Sequence, residues 1–481
     1  MMLKLSPATK EALKVAIAFT LSIVIAIALG WQKPYWAAIS VIVVAANDNY
    51  NVAIKHGRNR LFGTIAGVIF AIFNVHYFAQ DREMFIFSVL CFATICVYMS
   101  NWQRYGYAFK MAFTVGIIIA AMGQFDSFST FDFAVLRVQE TTLGILVYSL
   151  VFQFLWPRNT ESLFKQFISQ LTDRHIEQVE RQLTALYLSG RCSDISDDEN
   201  NQSNEESNQL ALLLKEAISD SSRIYSERKI WMKLAAYLLD AKDEKAASTD
   251  SSDTLKKHLQ QRYLTLQQIK RLLCRHDIEA IGRITSVSSM KPIEIKNDFW
   301  GEVKNALIAN YQNRLIYVFR ALAALSTCYA LWIYLPMPAG ILFPLIASSF
   351  VNALCDAPSA YYKYAVLGIC TFSVLFLLEY IFILPALTEV YELAAFYFIN
   401  IFLVWKMFAG PQLSVLRVLG GNMLVVLTMT ALYLTPVYSI TQSLNMLLFI
   451  FIILIVVRFY TMLTEEIGEG MMGKNTLGPR S

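Results

Sequence analysis

The chain has 481 residues, of which 56% are hydrophobic and only 16% charged, with a mean hydropathy of +0.44. A soluble protein of this size is near half apolar and about a quarter charged, so the composition excludes a chain that is water-soluble throughout. The net charge of +4 is small, and more than half of the charged residues fall between Arg158 and Lys304, which predicts membrane-embedded ends around a water-exposed middle.

A membrane helix needs about 20 apolar residues. Spans are predicted at 12–30, 34–47, 60–78, 84–100, 108–123 and 134–156. The amino end is basic and then apolar from Leu13 to Leu29, but no A-x-A-like cleavage site follows and the next run comes at once, so the first span is expected to be retained. Residues 157–310 carry apolar residues at helical spacing over 160–190, 208–247 and 253–280. Between the first two, CSDISDDENNQSNEESNQ (192–209) reads as an acidic, polar linker. This middle segment has no strand pattern, catalytic constellation or basic stripe, and suits packing, dimerisation, gating or a plain solvated bundle. Six further spans are predicted at 314–334, 337–353, 363–384, 391–408, 413–433 and 441–462. Two spans in each half are short or interrupted by Pro or Gly.

The expected fold is an all-α membrane protein. Two parallel six-helix halves, 1–156 and 311–464, are joined by a cytoplasmic helical domain at 157–310, and 465–481 form a short tail. Basic residues mark the inner side: Lys4, Lys10 and Lys14 before span one, Lys55, Arg58 and Arg60 between spans two and three, Arg104 and Lys110 between four and five, and Arg158 after six. The alternate loops carry Asp81, Glu83, Asp126 and Asp132. This bias puts both termini and the middle segment in the cytoplasm. Trp31, Trp36, Trp102 and Trp156 sit near span ends, as an aromatic belt would.

Two repeats are visible. A shift of about 304–307 residues lays KPYWAAISVIVVAANDNY over MPAGILFPLIASSFVNAL and the Lys110 region over Arg417, a parallel repeat. The shared VLRV (135–138 and 415–418) does not fit this register and is a chance identity. A shift of 77 carries Arg60, Thr64 and Gly67 onto Arg137, Thr141 and Gly144, and span two onto span five. Spans three and six start on opposite sides, so this second repeat would be inverted and nested within the half.

Each arginine, threonine and glycine set lies on one helical face. Glycine lets a neighbouring helix approach, threonine can donate a hydrogen bond, and arginine offers a planar fork to a carboxylate. For Arg60 the rival reading is a cation that snorkels to headgroups. Arg137 lies on the expected outer side, against the charge bias, with Glu140 one turn deeper. A charge in a span costs about 2.5–3.5 kcal/mol on insertion scales, so it has a partner or a role. Either the two form an internal pair, or Glu140 carries a proton and Arg137 contacts an anion. Lys110 and Arg417 hold matching positions at the starts of spans five and eleven, Lys14 and Arg320 lie within spans one and seven, Glu379 within span nine and Lys406 near the end of span ten. Asn47, Asp48 and Asn49 break the chain after span two, as a cap or polar entrance.

Seven cysteines and five histidines form no metal pattern, and no cofactor is expected. GEGMMGKN (468–475) has the glycine and lysine spacing of a phosphate loop. It has Asn475 where Ser or Thr should hold magnesium and no preceding strand, so ATP binding is rejected.

PYWAAISVIVV (34–44), RNRLFGTIAGVI (58–69) and RVQETTLG…FLWPR (137–158) resemble the fusaric acid resistance family, which includes bacterial aromatic carboxylic acid efflux pumps. The layout of six spans, a cytoplasmic helical segment and six spans is also similar. The resemblance implies proton-driven export of aromatic or other organic acids across the bacterial inner membrane with a periplasmic adaptor protein. A more distant likeness is to the plant aluminium-activated malate transporters, dimeric anion channels of six-span subunits. Arg60 would be the basic residue before Gly-Thr in this family, and Arg137 the one opening span six. Relatives often continue into a second soluble domain, whereas this chain stops about twenty residues after its last span, and the closing LGPRS reads as an appended tail. The second half has Lys363 and Gly368 where the first has Arg-x-x-Gly-Thr, so unequal halves are expected.

The expected function is efflux of organic anions, with Arg60, Thr64, Lys110, Arg137, Arg320 and Arg417 binding substrate and Glu140 or Glu379 coupling protons. A passive anion channel or a non-transporting membrane scaffold are the alternatives, and an enzyme is not expected, because no nucleophile, base and orienting group occur together. Expected partners are a small organic anion, the bilayer, a periplasmic adaptor and a second copy of the chain, with no nucleic acid.

Overall fold

Helix starts are written locally. Ser6 caps α1 (Pro7–Ala28), its hydroxyl accepting from the Thr9 amide at 3.2 Å, with proline in the first turn. Asp81 caps α4 (Arg82–Met99) through the Glu83 and Met84 amides at 3.0 and 3.1 Å. Asp126 caps α6 (Ser127–Phe154) through the Ser129 amide at 2.8 Å. Each cap satisfies a donor that the helix itself leaves open.

The structure, a computed structural model, describes residues 6–46, 50–102, 104–123, 126–156, 160–189, 209–210, 213–214, 217–218, 222–239, 252–275, 277–285, 299–308, 311–338, 340, 342–357, 359–410 and 413–475. The Asn47–Asn49 break and the acidic linker up to residue 208 lie outside them. The described residues are helical, without strands, as expected for an all-α membrane protein.

Contacts divide the chain into two compact units, Met1–Pro157 with Phe299–Ser481, and Arg158–Asp298. The middle segment is therefore shorter than the expected 157–310. Helix α12 (Phe299–Ile308) belongs with the membrane helices, where the Tyr98 hydroxyl donates to the Leu307 carbonyl at 2.6 Å.

In the first unit, α1, α4, α6 and α3 (Tyr50–Phe78) are joined by α2 (Tyr35–Ala45) and α5 (Gly106–Met122). The later set is α13 (Tyr311–Tyr334), α14 (Leu342–Leu354), α15 (Ser359–Phe382), α16 (Val390–Met407), α17 (Ser414–Thr428, extended by a 3-10 turn to Leu432) and α18 (Ile440–Asn475). Among the described residues, nine helices are long and apolar enough to cross a membrane. The predicted spans 34–47, 108–123 and 337–353 instead become the short helices α2, α5 and α14 of 11, 17 and 13 residues. At 1.5 Å per residue α2 is only ~16 Å long, about half the hydrocarbon core. Long helices surround these short ones, and most of their residues are buried, including Val41, Ile42, Phe113, Ile119, Phe343 and Ala347.

Helix α1 packs on α16 and α13 on α4, while α2 packs on α17 and α14 on α5. The first helix of each set thus meets the fourth of the other, and the second meets the fifth. That reciprocity is what a twofold exchange of related sets would leave. The glycine-lysine stretch 468–475 lies inside α18, so it forms a helix where a phosphate loop would be needed.

The second unit consists of α7 (Thr160–Ser189), α8 (Ser222–Ser226), α9 (Arg228–Leu239), α10 (Ser252–Arg275) and α11 (Ile278–Thr285). The predicted helix 253–280 breaks at Asp277, which caps α11 through the Ala280 amide at 3.1 Å. Trp231 is buried against Phe164 with ring centroids 5.2 Å apart, and its indole donates to Glu227 at 3.2 Å. Removing so large a buried ring leaves both a cavity and a lost transfer term, so Trp231→Ala should cost about 3–5 kcal/mol. Limited proteolysis of the full chain should then cut within 158–298 well before the wild type is cut, and unchanged resistance would contradict this packing.

Candidate functional site

The polar centre of the first six helices is assembled by α2, α3 and α6. Gly144 lets α6 lie on α2: a methyl group there would stand 2.5 Å from the Ala37 carbonyl oxygen and 2.7 Å from the Ser40 Cβ. Gly67 lets α3 lie on α5, where a methyl would meet the Ala112 carbonyl oxygen at 2.6 Å and the Gly116 nitrogen at 2.8 Å. The two glycines of the sequence repeat therefore serve exchanged helix pairs, α6 with α2 and α3 with α5, the exchange an inverted repeat would produce.

These close approaches bring the two arginines of the motif to one place. The Arg137 guanidinium carbon lies over the Trp36 ring, 3.3 Å from its centroid, and Nη1 is 3.4 Å from Glu140 Oε2. Arg60 donates from Nε to the Ser40 hydroxyl at 3.3 Å, and from Nη1 to the Tyr107 hydroxyl at 3.3 Å and the Met111 sulfur at 3.2 Å. Ser40 in turn donates to the Trp36 carbonyl at 2.9 Å. A chain of contacts thus runs Arg60–Ser40–Trp36–Arg137–Glu140. Arg137 is the eleventh residue of α6 and Arg60 the eleventh of α3, each ~15 Å along its helix. Arg137 is therefore well inside its helix instead of at an outer rim.

Arg60 and Arg137 are each 7% exposed and Glu140 1%. Glu140 Oε1 has no hydrogen-bond partner, and no carboxylate lies within ion-pair distance of Arg60 among the described residues. A buried cation held only by hydroxyls and a thioether keeps an uncompensated charge, which favours a bound anion. Lys33 adds another cation within electrostatic range of Arg137 and Glu140, its ammonium 4.3 Å from the Phe133 ring and 3.5 Å from the Met122 sulfur. Arg137 and Lys33 thus lie about one carboxylate, with Arg60 within electrostatic range of Arg137.

The other predicted site residues are placed differently. Thr64 is fully buried and its hydroxyl donates to the Arg60 carbonyl at 2.8 Å, so it braces a turn of α3 and has no donor left for a ligand. Lys110 pairs with Asp356 at 2.6 Å, while Asn352 donates to the Lys110 carbonyl at 2.6 Å and the Thr114 hydroxyl at 2.9 Å; these bonds tie α5 to the end of α14. Arg320 donates to the Cys355 carbonyl at 2.9 Å and to Thr464 at 2.7 and 3.0 Å. It thereby satisfies the end of α14, where a cation also suits the helix dipole. Arg417 is buried in the first turn of α17. Glu379 of α15 is half-buried with Oε2 unpartnered and meets the Asn400 side chain of α16. None of these contacts reaches the Arg60–Arg137 centre. Lys14 donates to the Trp156 carbonyl at 2.6 Å, Lys406 is exposed beside Phe402 and Lys363 is exposed beside Tyr364.

The sequence reading missed Lys33, Ser40, Tyr107 and Met111, and took Trp36 as a belt residue. The pair flanking Pro34 and Tyr35, Lys33 and Trp36, was visible in KPYW, but only the fold shows that Trp36 lies beneath Arg137. Among the described residues no three His, Cys, Asp or Glu side chains converge on a possible metal position.

Residues 10–230 match the fusaric acid resistance protein family. The p-hydroxybenzoic acid efflux pump subunit AaeB of Musicola paradisiaca is 28% identical over 177 residues, covering 34% of this chain and 27% of that protein. The subunit of the same name from Pectobacterium atrosepticum is 28% identical over 172 residues, 33% of this chain and 26% of that protein. The Escherichia coli protein YhfK is 25% identical over 163 residues, 34% of this chain and 22% of its own length. The matched stretch thus spans about a quarter of these relatives. No solved structure matches the chain.

Proposed function

We propose, for a multi-pass membrane protein whose residues 10–230 match the fusaric acid resistance family, that the chain exports aromatic carboxylates. The observation that carries this reading is the Arg60–Arg137–Lys33 centre, with an aromatic face at Trp36 and a single carboxylate. A substrate carboxylate would take the fork of Arg137 or the open charge of Arg60, and its ring would lie among Trp36, Tyr107 and Met111. The names of the pump-subunit relatives, which specify p-hydroxybenzoic acid, support this substrate class.

Glu140 supplies the coupling. When the substrate carboxylate takes Arg137, Glu140 loses its cation in a buried setting and binds a proton instead. When the substrate leaves, Arg137 returns and the proton is released. The proton and the anion are then bound and released together, so each cycle moves one of each in the same direction. In the later helices Lys363, which stands where the first set has its arginine, is exposed, and residues 441–447 carry no charge, so on this reading the buried cation centre belongs to the first set. On this reading the protein sits in the bacterial inner membrane with both ends cytoplasmic, an orientation that the loop charges support. A periplasmic adaptor and self-association belong to the same reading.

The test is uptake of labelled p-hydroxybenzoate into proteoliposomes. Under an imposed proton gradient the label should accumulate against its own gradient, and a protonophore should abolish accumulation. Flux that only follows the substrate gradient would mean a channel, and flux no greater than in empty vesicles would refute transport of this class.

A further inference from the structure

Where α4 meets α13 and α5 meets α14, the bundle leaves a cavity of about 230 Å³. Its walls are almost wholly apolar, built by Phe85, Ala121, Tyr329 and Trp332, with Gln80 and Arg82 at the rim. None of the Arg60–Arg137 side chains lines it. The Tyr329 hydroxyl is bonded to Ser348 at 2.8 Å, so that ring presents only its apolar body. Asp81 turns its carboxylate to the amides of α4, which leaves the exposed Arg82 as the charge at the opening.

At the reciprocal junction, where α1 meets α16 and α2 meets α17, aromatic rings pack against one another. Phe19 and Tyr397 are 6.0 Å apart, Tyr35 and Tyr433 6.2 Å, and the Tyr397 hydroxyl meets Thr428 at 2.8 Å.

We infer that this cavity is a second binding site, for a single-ring aromatic monocarboxylate. An apolar cavity of about 150 Å³ already holds benzene, so 230 Å³ admits one ring with a small substituent. Phe85 and Trp332 offer faces and edges to the ring, and Arg82 offers a guanidinium to the carboxylate where it emerges. The site is a way-station separate from the central cations, and its ligand class rests on the exporter reading above.

The test uses the full chain in lipid nanodiscs and labelled benzoate as the probe. Arg137→Gln weakens the central site, and the cavity substitutions assign the saturable binding that remains in this variant. In that background Ala121→Leu, which fills the cavity, should remove binding, and Arg82→Gln should weaken it roughly tenfold. Benzoate should also quench Trp332, seen as the difference from Trp332→Phe. The exposed Arg82 variant guards against misfolding of the cavity-filling one. Binding indifferent to both substitutions, or a Trp332 quenched by brominated acyl chains that benzoate does not displace, overturns the inference; the latter makes the cavity a lipid site. Wild-type transport in vesicles separates the two readings. Transport without cavity binding defeats this inference alone, and cavity binding without transport defeats the exporter reading.

Discussion

Arg137→Gln is expected to lower the transport of aromatic carboxylates by on the order of a hundredfold, the loss of one charge-assisted interaction of about 1.5–3 kcal/mol in the step that needs it. The guanidinium does two things that glutamine cannot. It stacks on Trp36 at 3.3 Å and it neutralises Glu140 at 3.4 Å. Arg137→Lys should recover part of the rate, because the charge remains but the planar fork and the stacking do not. Breaking a buried pair also strands its partner, at a cost of about 3–5 kcal/mol, so a fall in rate could reflect a damaged fold. The double variant Arg137→Gln/Glu140→Gln separates these effects. It removes the stranded carboxylate, so it should restore the yield and thermal stability of purified protein while transport stays lost. Glu140→Gln alone should keep substrate exchange across the vesicle membrane and lose proton-driven accumulation. Wild-type flux in Arg137→Gln would remove Arg137 from the path.

Gly144→Leu should be strongly damaging although it alters no charge. The first atom of the new side chain would meet the Ala37 carbonyl at 2.5 Å, a backbone atom that can yield only if α2 moves as a whole. Overpacking of a core usually costs about 1–3 kcal/mol, and a backbone obstacle puts this site at the upper end. Displacing α2 would also carry Ser40 from Arg60 and Trp36 from Arg137, so stability and transport should fall together. Gly410→Ala is the control, since nothing lies within 4 Å of a methyl there; it should stay within about 0.5 kcal/mol of wild type. Thermal unfolding in detergent followed by size-exclusion chromatography reads both. A Gly144→Leu protein as stable as the control would show that α6 and α2 are not held in contact.

The helical fold was legible because it follows from local chemistry. Long apolar runs must be helical in a bilayer, where no water is present to satisfy the backbone, and the charge-dense middle must lie elsewhere. The paired motif pointed to Arg60, Arg137 and Glu140, and these are the predicted site residues that the structure brings together. The rest of the site list was less legible. A cation at a predicted span end looks the same in sequence whether it meets a substrate, as proposed for Arg60, or an internal partner, as Lys110 meets Asp356 and Arg320 meets Cys355 and Thr464. Those partners lie 246, 35 and 144 residues away, beyond any local pattern.

By itself, then, the sequence determined the helical class, the charge-dense middle, the register of the arginine–threonine–glycine repeat and the rejection of a phosphate loop inside what became α18. These depend on hydrophobicity, spacing and the absence of a required residue, all of which are properties of neighbours in the chain. Tertiary structure decided that α2, α5 and α14 are short and enclosed, that Trp36 lies under Arg137, that Thr64 bonds to its own helix, and that a cavity opens where α4 meets α13 and α5 meets α14. The reason is physical. Which face of a helix meets which neighbour is set by the close packing of side chains from distant parts of the chain, and a charge acquires its meaning only from the groups that packing brings beside it.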